Sequence, residues 1–114
     1  MAEILRRTDR WGRDIVLHEV TWYDKIASKH VEVDGQIDAI MATLMEPDRV
    51  NYDSIYPDGE NYYRLAIRSP PYHRIYLKVV VRFQRIDNQL IGKGITAYPS
   101  PYSAARGERH KWHR

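Results

Sequence analysis

Residues 74–98, RIYLKVVVRFQRIDNQLIGKGITAY, give the strongest indication of the fold class. Apolar and polar residues alternate along much of this stretch, which is typical of half-buried β-strands. We predict one strand over residues 74–84 and another over residues 90–98. Asp87 and Asn88 stand between them, and both residue types favour tight turns. The stretch is therefore expected to form an antiparallel hairpin.

A second hairpin is predicted upstream, from the same alternation. Its strands cover residues 50–56 and 62–68, and Pro57-Asp58-Gly59 supplies the turn residues between them. Together the two hairpins predict a four-stranded antiparallel sheet. Because such a sheet usually has one buried and one open face, we expect other elements to cover one side of it.

Two helices are predicted before the sheet. The clearer one ends near Pro47, since proline cannot continue a helix. Its apolar residues recur at the 3, 4 and 7 spacing of an amphipathic helix: Ile37, Ile40, Met41 and Leu44. A shorter helix is predicted over residues 22–29, and residues 14–18 fit either an edge strand or the lead-in to it. The expected fold is α+β, with two N-terminal helices packed on one face of a four-stranded antiparallel β-sheet.

Composition limits the class of protein. The 114 residues suit one domain, and the absence of cysteine rules out disulfides and thiolate chemistry. No stretch is apolar enough to cross a membrane, so we expect a cytoplasmic protein with no membrane association. Residues 1–13 are predicted to be a basic arm, residues 14–102 the domain, and residues 103–114 a basic tail. The sequence does not indicate the oligomeric state.

Positive charge is concentrated at the two ends, although lysine and arginine exceed the acids only by 18 to 15. The basic residues of the ends are Arg6, Arg7, Arg10, Arg13, Arg106, Arg109, Lys111 and Arg114, with His110 and His113 among them. Both ends can contact phosphate, or they can simply keep a small domain soluble. The two histidines have no third ligand nearby in the sequence, so no metal site is predicted.

Strand parity assigns each side chain of the sheet to a face. The predicted core face holds Tyr63, Leu65, Ile67, Ile75, Leu77, Val79, Val81, Phe83, Ile95 and Ala97. The predicted open face holds Tyr62, Arg64, Tyr76, Lys78, Arg82, Thr96 and Tyr98. Cations with tyrosine rings on one surface suit single-stranded RNA, because cations neutralise phosphate and rings stack on bases. The same residue types are also common on solvent-facing sheets, so both interpretations stay open.

A series of short motifs in this order resembles a known superfamily. The motifs are Trp22, Lys29-His30-Val31-Glu32, Glu46-Pro47-Asp48-Arg49-Val50, Tyr62-Tyr63-Arg64, Leu77-Lys78-Val79-Val80-Val81 and Ile95-Thr96-Ala97-Tyr98-Pro99. They resemble small bacterial and phage-associated proteins grouped with the barnase, EndoU, colicin-nuclease and RelE superfamily of metal-independent ribonucleases. The resemblance covers residues 22–109. The family's first motif is His-Pro-Glu, and Val31 replaces the proline here.

The resemblance implies a metal-independent endoribonuclease without a cofactor, which cleaves single-stranded RNA by attack of the 2′-hydroxyl. A toxin or mobile-element nuclease of this kind has an antitoxin or immunity protein as partner. The expected catalytic residues are His30, Glu32, Lys78, Thr96 and Tyr98, and the expected RNA-binding residues are Arg64, Tyr62, Tyr76 and Arg82. His30 is the best proton carrier among them near neutral pH. The alternative is a non-catalytic RNA- or protein-binding module of the same fold.

Overall fold

The computed structural model describes residues 3–18, 21, 37–67 and 75–114. Within these residues the chain forms seven strands and one helix. In chain order they are β1 (Glu3–Thr8), β2 (Asp14–His18), α1 (Ile37–Met45), β3 (Arg49–Tyr52), β4 (Gly59–Ile67), β5 (Ile75–Ile86), β6 (Gln89–Ser100) and β7 (Arg109–His113). The chain is therefore mostly β-sheet.

All seven strands belong to one mixed sheet. Their order across the sheet is β1-β2-β6-β5-β4-β3-β7. Neighbouring strands pair antiparallel except β2 and β6, which pair in parallel. The four predicted strands are present as β3 to β6, and they form the consecutive antiparallel part of the sheet.

The predicted fold, two helices on a four-stranded antiparallel sheet, is wrong. The sheet has three strands beyond the four predicted ones, β1, β2 and β7, and α1 is the one helix among the described residues. The helix predicted over residues 22–29 lies outside the described residues. β1 and β7 are the two edge strands, and their charged sequences, EILRRT and RHKWH, lack the apolar alternation that marks a strand. Charged residues are common on edge strands because they discourage pairing with other chains.

Residues 14–18 form a strand inside the sheet, between β1 and β6. The sequence predicted an edge strand or a lead-in to a helix for this segment. Ile15, Val16 and Leu17 are all buried, as expected for a strand with neighbours on both sides and covered faces. Its parallel pairing with β6 joins residues 77 positions apart, such as Asp14 and Ile91, a long-range contact that local periodicity does not report.

The apolar core lies between α1 and one face of the sheet, called here the helix face. Its buried members are Ile15, Leu17, Ile40, Leu44, Val50, Tyr62, Leu77, Val79, Val81, Phe83 and Ala97. The apolar spacing that predicted α1 is confirmed, since Ile40 and Leu44 are both buried. At about 25 cal/mol per Å² of apolar surface, this burial is the main favourable term in folding.

Turn residues explain where two of the described strands end. Asp87 and Asn88, between β5 and β6, both have positive φ (51° and 64°), which confirms the predicted turn and suits a two-residue hairpin loop. β3 ends earlier than predicted because the Asp53 carboxylate accepts the backbone N–H groups of Ile55 and Tyr56. Among the described residues, no helix has the length and apolar character needed to cross a membrane.

Candidate functional site: a buried anion cradle and a cation–aromatic ridge

The face of the sheet opposite α1, called here the second face, carries five of the predicted site residues: Tyr76, Lys78, Arg82, Thr96 and Tyr98. Lys78 on β5 lies opposite Tyr98 on β6, and Thr96 lies opposite Val80. Residues directly opposite in an antiparallel pair share a face, so Lys78, Thr96 and Tyr98 lie on the same side. The Lys78 ammonium is 5.4 Å from the centre of the Tyr98 ring. The predicted shared face of these three residues is confirmed.

Tyr62 and Arg64 lie on the helix face, so their predicted place beside Lys78 is wrong. The register pairs Tyr62 with Val79, and Tyr63 with Lys78. Tyr62 is fully buried in the core, while Arg64 bonds to the backbone carbonyl of Glu46. A shift of one residue in parity moves every side chain of a strand to the other face. Two adjacent tyrosines allow either parity, because either ring can be buried.

Tyr76 and Arg82 lie on β5 at even spacings from Lys78, so their predicted place on the face of Lys78 is confirmed. Tyr76 is half-buried and lies opposite Ser100. Arg82 is exposed, and its guanidinium forms an ion pair with Asp58 at 2.9 Å. His30 and Glu32 lie outside the described residues.

Lys78 does not point to open solvent. It belongs to a buried polar group in which Glu108 is the central acceptor. The Lys78 ammonium lies 2.9 Å from Glu108 Oε2, and the Tyr63 hydroxyl lies 2.9 Å from both carboxylate oxygens. The Asn51 and Asn61 side-chain amides donate to the same carboxylate at 2.9 and 2.8 Å. We call the four donors, Asn51, Asn61, Tyr63 and Lys78, the anion cradle.

Glu108 reaches the cradle from a segment that crosses the sheet. Residues 101–108 connect β6 to β7, and three strands, β5, β4 and β3, lie between those two in the sheet. At about 4.8 Å per strand the connection must cross a wide part of the sheet. The Ser103 carbonyl accepts a hydrogen bond from Asn51, and Gly107 turns the chain with a φ of 84°. Glu108 follows directly and points its carboxylate into the sheet.

The cradle keeps Glu108 ionised. Burial by itself would raise the pKa of this carboxyl, but hydrogen bonds from Asn51, Lys78 and Tyr63 outweigh burial and lower its pKa from the ordinary value. For Lys78, burial would lower the pKa, and the hydrogen bonds with Glu108 and Tyr63 instead raise it. Burial raises the pKa of the Tyr63 hydroxyl, which therefore stays a neutral donor. The pair is a carboxylate and an ammonium, not two neutral groups.

One atom of the cradle is left unsatisfied. The Asn61 side-chain oxygen is buried and has no hydrogen-bond partner in the described part of the chain, since its amide nitrogen is turned to Glu108 and Asp53. A buried unsatisfied polar atom costs about 1–3 kcal/mol. The Asn61 side chain is thus oriented so that its amide donates to Glu108, and its carbonyl oxygen is left without a donor.

A second group of functional character was missed by the sequence reasoning. It joins the loop between β1 and β2 to β3 and β7, and consists of alternating cations and aromatic rings. We call this group the cation–aromatic ridge: Arg10, Trp11, Tyr52, Arg109, Lys111 and Trp112.

Close cation–ring contacts run along the ridge. The Arg10 guanidinium lies 3.6 Å from the centre of the Trp112 ring, and Trp112 meets Trp11 edge-on at 6.3 Å. The Lys111 ammonium is 4.4 Å from Trp11 and 5.5 Å from Tyr52. The Arg109 guanidinium is 5.0 Å from the centre of the Tyr52 ring. The order is therefore cation, two rings, cation, ring, cation.

Local backbone structure positions the ridge. The Asp9 carboxylate accepts the backbone N–H groups of Trp11 and Arg13, and Gly12 turns the loop with a φ of 79°. On β7, the register shifts between the pairs at Trp112 and His110, so Lys111 is the extra residue of a β-bulge. A bulge redirects a side chain, and here Lys111 and Trp112 both reach Trp11.

Two signals in the sequence pointed toward the ridge. Both ends of the chain were basic, and in each a tryptophan adjoins a cation, in Arg10-Trp11 and Lys111-Trp112. Neither signal showed that the two ends meet. That contact depends on the loop between β1 and β2 reaching β4, where Arg13 bonds to Glu60 and Tyr62.

Metal binding has no support in the described ranges, which contain no group of three or more His, Asp or Glu side chains placed to hold an ion. His110 and His113 do approach each other, with ring nitrogens 2.7 Å apart.

The chain matches no protein-family model, and comparisons with curated proteins and with solved structures found no match. The resemblance to metal-independent ribonucleases therefore stays a prediction from the sequence motifs.

Proposed function

We propose that this protein binds single-stranded RNA, and that the cation–aromatic ridge is the binding surface. The observation that carries the proposal is the alternation of Arg10, Lys111 and Arg109 with Trp11, Trp112 and Tyr52 over contacts of 3.6 to 6.3 Å. Surfaces that bind single strands combine cations for the backbone with rings on which unpaired bases stack.

The ridge has both parts in an accessible form. Trp11 keeps 39% of its surface exposed, so it offers ring area to a base. Arg10 and Arg109 are exposed and form no ion pair with any described residue, so their guanidinium groups are available to phosphate. Lys111 is different, because its ammonium is paired with Glu60 at 2.9 Å. We assign Lys111 to holding the rings in place.

The preference for RNA over DNA comes from the motif resemblance, and cleavage comes from it too. His30 is the proton carrier that cleavage requires, and it lies outside the described residues. The antitoxin or immunity partner is likewise an expectation of the resemblance. Binding of a single-stranded nucleic acid is the part that the contacts of the ridge support.

Binding is tested by fluorescence anisotropy with a labelled 12-nucleotide RNA and the DNA of the same sequence at low salt. Trp11→Ala should weaken RNA binding about 5- to 150-fold, since stacking contributes about 1–3 kcal/mol per base. Arg109→Ala should weaken it and lower the slope of log K against log salt by about 0.7, the value for one phosphate contact to a single strand.

Matched control variants lie elsewhere on the surface. Tyr102 is 72% exposed and Arg85 is exposed at the end of β5, and neither belongs to the ridge. Tyr102→Ala and Arg85→Ala should change the affinity by less than about twofold if the ridge is the site. Equal losses for Trp11→Ala and Tyr102→Ala, or no binding at low salt, would refute the proposal. The same RNA incubated in chelator tests cleavage, which His30→Ala should abolish.

A further inference from the structure

We infer that the anion cradle is a phosphate-binding site which Glu108 occupies in this structure, and that a phosphate group of the bound RNA takes the place of Glu108. The RNA part of this inference rests on the function proposed above. It also requires the strand to pass around the edge strand β7, because the register places Tyr52, Arg109 and Trp112 of the ridge on the helix face and the cradle on the second face. The site itself, a set of donors for an oxyanion, rests on the geometry of the cradle alone.

The donors and the acceptor come from different parts of the chain. Asn51 lies on β3, Asn61 and Tyr63 on β4, and Lys78 on β5, so all four donors are fixed by the sheet. The acceptor, Glu108, lies at the end of the crossover segment. A site whose donors are held rigidly while its anion comes from a connecting segment is organised to bind an anion.

The number of donors exceeds what an ion pair needs. A buried lysine is neutralised by one carboxylate, yet Tyr63 and two side-chain amides also converge on the Glu108 oxygens within 2.9 Å. Lys78 keeps 7% of its side-chain surface exposed and Glu108 keeps 1%. Buried donors without an acceptor are costly, so this cradle needs an anion in it at all times.

A carboxylate is a fair stand-in for phosphate in such a site. A carboxylate is a planar oxyanion and phosphate is a tetrahedral one, and both accept charge-assisted hydrogen bonds from lysine as well as hydrogen bonds from neutral donors. A phosphodiester resembles a carboxylate in having two free oxygens that share one negative charge, while inorganic phosphate and a phosphate monoester offer more oxygens and more charge to the four donors. The chemistry of the cradle therefore indicates a phosphate monoester, a phosphodiester or inorganic phosphate.

The crossover segment is built so that Glu108 can leave. Pro101, Tyr102, Ala105 and Arg106 are exposed, while Ser103 and Ala104 are half-buried. From β3, β4 and β5, the described hydrogen bonds to the segment are those to the Ser103 carbonyl and to Glu108 itself. Gly107, with its positive φ, is the residue at which the chain turns before Glu108. Apart from the hydrogen bonds of Glu108 itself, withdrawal of the carboxylate therefore affects one described hydrogen bond from these strands, that of Asn51 to the Ser103 carbonyl.

The inference is tested by removing the internal anion and supplying one from solution. Glu108→Ala should unfold at a lower temperature than the wild type, because Lys78 is then buried without a counter-charge. Inorganic phosphate should raise the Tm of Glu108→Ala saturably, by about 10 °C when phosphate is a hundred times its Kd. If Glu108→Ala does not fold in chloride, circular dichroism is followed as phosphate is added, and recovery of the native spectrum is the expected result.

Two controls separate a specific site from general stabilisation by phosphate. The wild type and the double variant Lys78→Met with Glu108→Ala are titrated with phosphate and with chloride at the same ionic strength. The double variant should show no saturable rise, since it lacks the cation, and the wild type should show a smaller rise than Glu108→Ala, since phosphate must there displace Glu108. A rise of equal size in all three proteins, or no rescue of Glu108→Ala, would overturn the inference.

A dinucleotide, UpU, distinguishes the two sources of phosphate. Rescue of Glu108→Ala by both inorganic phosphate and UpU supports an RNA phosphodiester as the ligand. Rescue by inorganic phosphate alone supports the site but overturns its link to RNA. The outcome is separable from the test of the ridge, because Trp11→Ala should leave rescue by inorganic phosphate intact while it weakens RNA binding by the wild-type chain.

Discussion

Replacing Arg13 by methionine should lower the free energy of unfolding by about 3–5 kcal/mol, the usual cost of leaving a buried charge without its partner. Arg13 ties the loop between β1 and β2 to β4. Its guanidinium donates to both oxygens of Glu60 at 2.8 Å and to the Asp9 carboxylate at 2.9 Å, and it lies 4.0 Å from the centre of the Phe83 ring.

The magnitude follows from what the substitution leaves behind. The Asp9 side chain is fully buried and that of Glu60 keeps 10% of its surface exposed, so methionine would leave two carboxylates in a poorly hydrated place. At 2.8 Å and an effective dielectric constant of about 20, one such pair attracts by about 6 kcal/mol before the cost of desolvation. Desolvation offsets part of this, and Lys111 still neutralises Glu60 in part. A loss of 3–5 kcal/mol corresponds to a fall in Tm of about 12–20 °C.

Arg82 is the matched control. It too forms two hydrogen bonds with one carboxylate, that of Asp58, and lies 4.2 Å from an aromatic ring, Tyr56. Its side chain is 44% exposed and that of Asp58 is 42% exposed. Arg82→Met should therefore lower the free energy of unfolding by less than about 1 kcal/mol, because exposed ion pairs contribute no more than that to stability. Urea denaturation of the wild type and the two variants measures both numbers.

The pH dependence gives a second readout of the same reasoning. In the wild type, burial would raise the pKa of Glu60, but Arg13 and Lys111 lower it from its ordinary value. Without Arg13, burial should raise the pKa of Glu60 relative to the wild type. Protonation of the carboxylates then removes part of the free-energy cost of burying their charges. The deficit of Arg13→Met should thus shrink between pH 7 and pH 4. Equal losses for Arg13→Met and Arg82→Met, or a deficit that grows on acidification, would refute this account.

Two further predictions concern the sheet and the cradle. Gly92→Ala should lower the free energy of unfolding by about 1–3 kcal/mol through overpacking, because the added Cβ would lie 2.7 Å from the Phe83 ring. Gly94→Ala should lower it less, since the nearest atom to its Cβ would be 3.4 Å away. Urea denaturation compares the two variants. The free energy of unfolding should fall as the pH is lowered from about 5 to 3. The pKa of Glu108 is lower in the folded protein than its ordinary value of 4.5, so ionised Glu108 stabilises the fold above pH 4.5. This stabilisation is lost as the pH falls through the pKa of the folded state. Glu108→Gln should flatten this dependence, and an equally steep fall in that variant would contradict the assignment.

Local pattern was sufficient for the central part of the fold. The apolar spacing of α1, the alternation along β5 and β6, and the turn at Asp87 and Asn88 were all readable, because each depends on neighbours within a few positions. The shared face of Lys78 and Tyr98 followed from the same alternation. Parity failed in β4, where adjacent tyrosines at positions 62 and 63 carry no alternation to read.

The sequence by itself determined the hairpins, the apolar spacing of the helix and the basic character of both ends. Only the tertiary structure decided that β1 and β7 are strands, that β2 pairs in parallel with β6, and that Trp11 meets Trp112. It also decided that Lys78 is neutralised by Glu108, 30 residues further along the chain. The physical reason is that strand pairing and burial join groups that are far apart in the sequence. The charged edge strands, in addition, lack the apolar alternation from which a strand can be predicted.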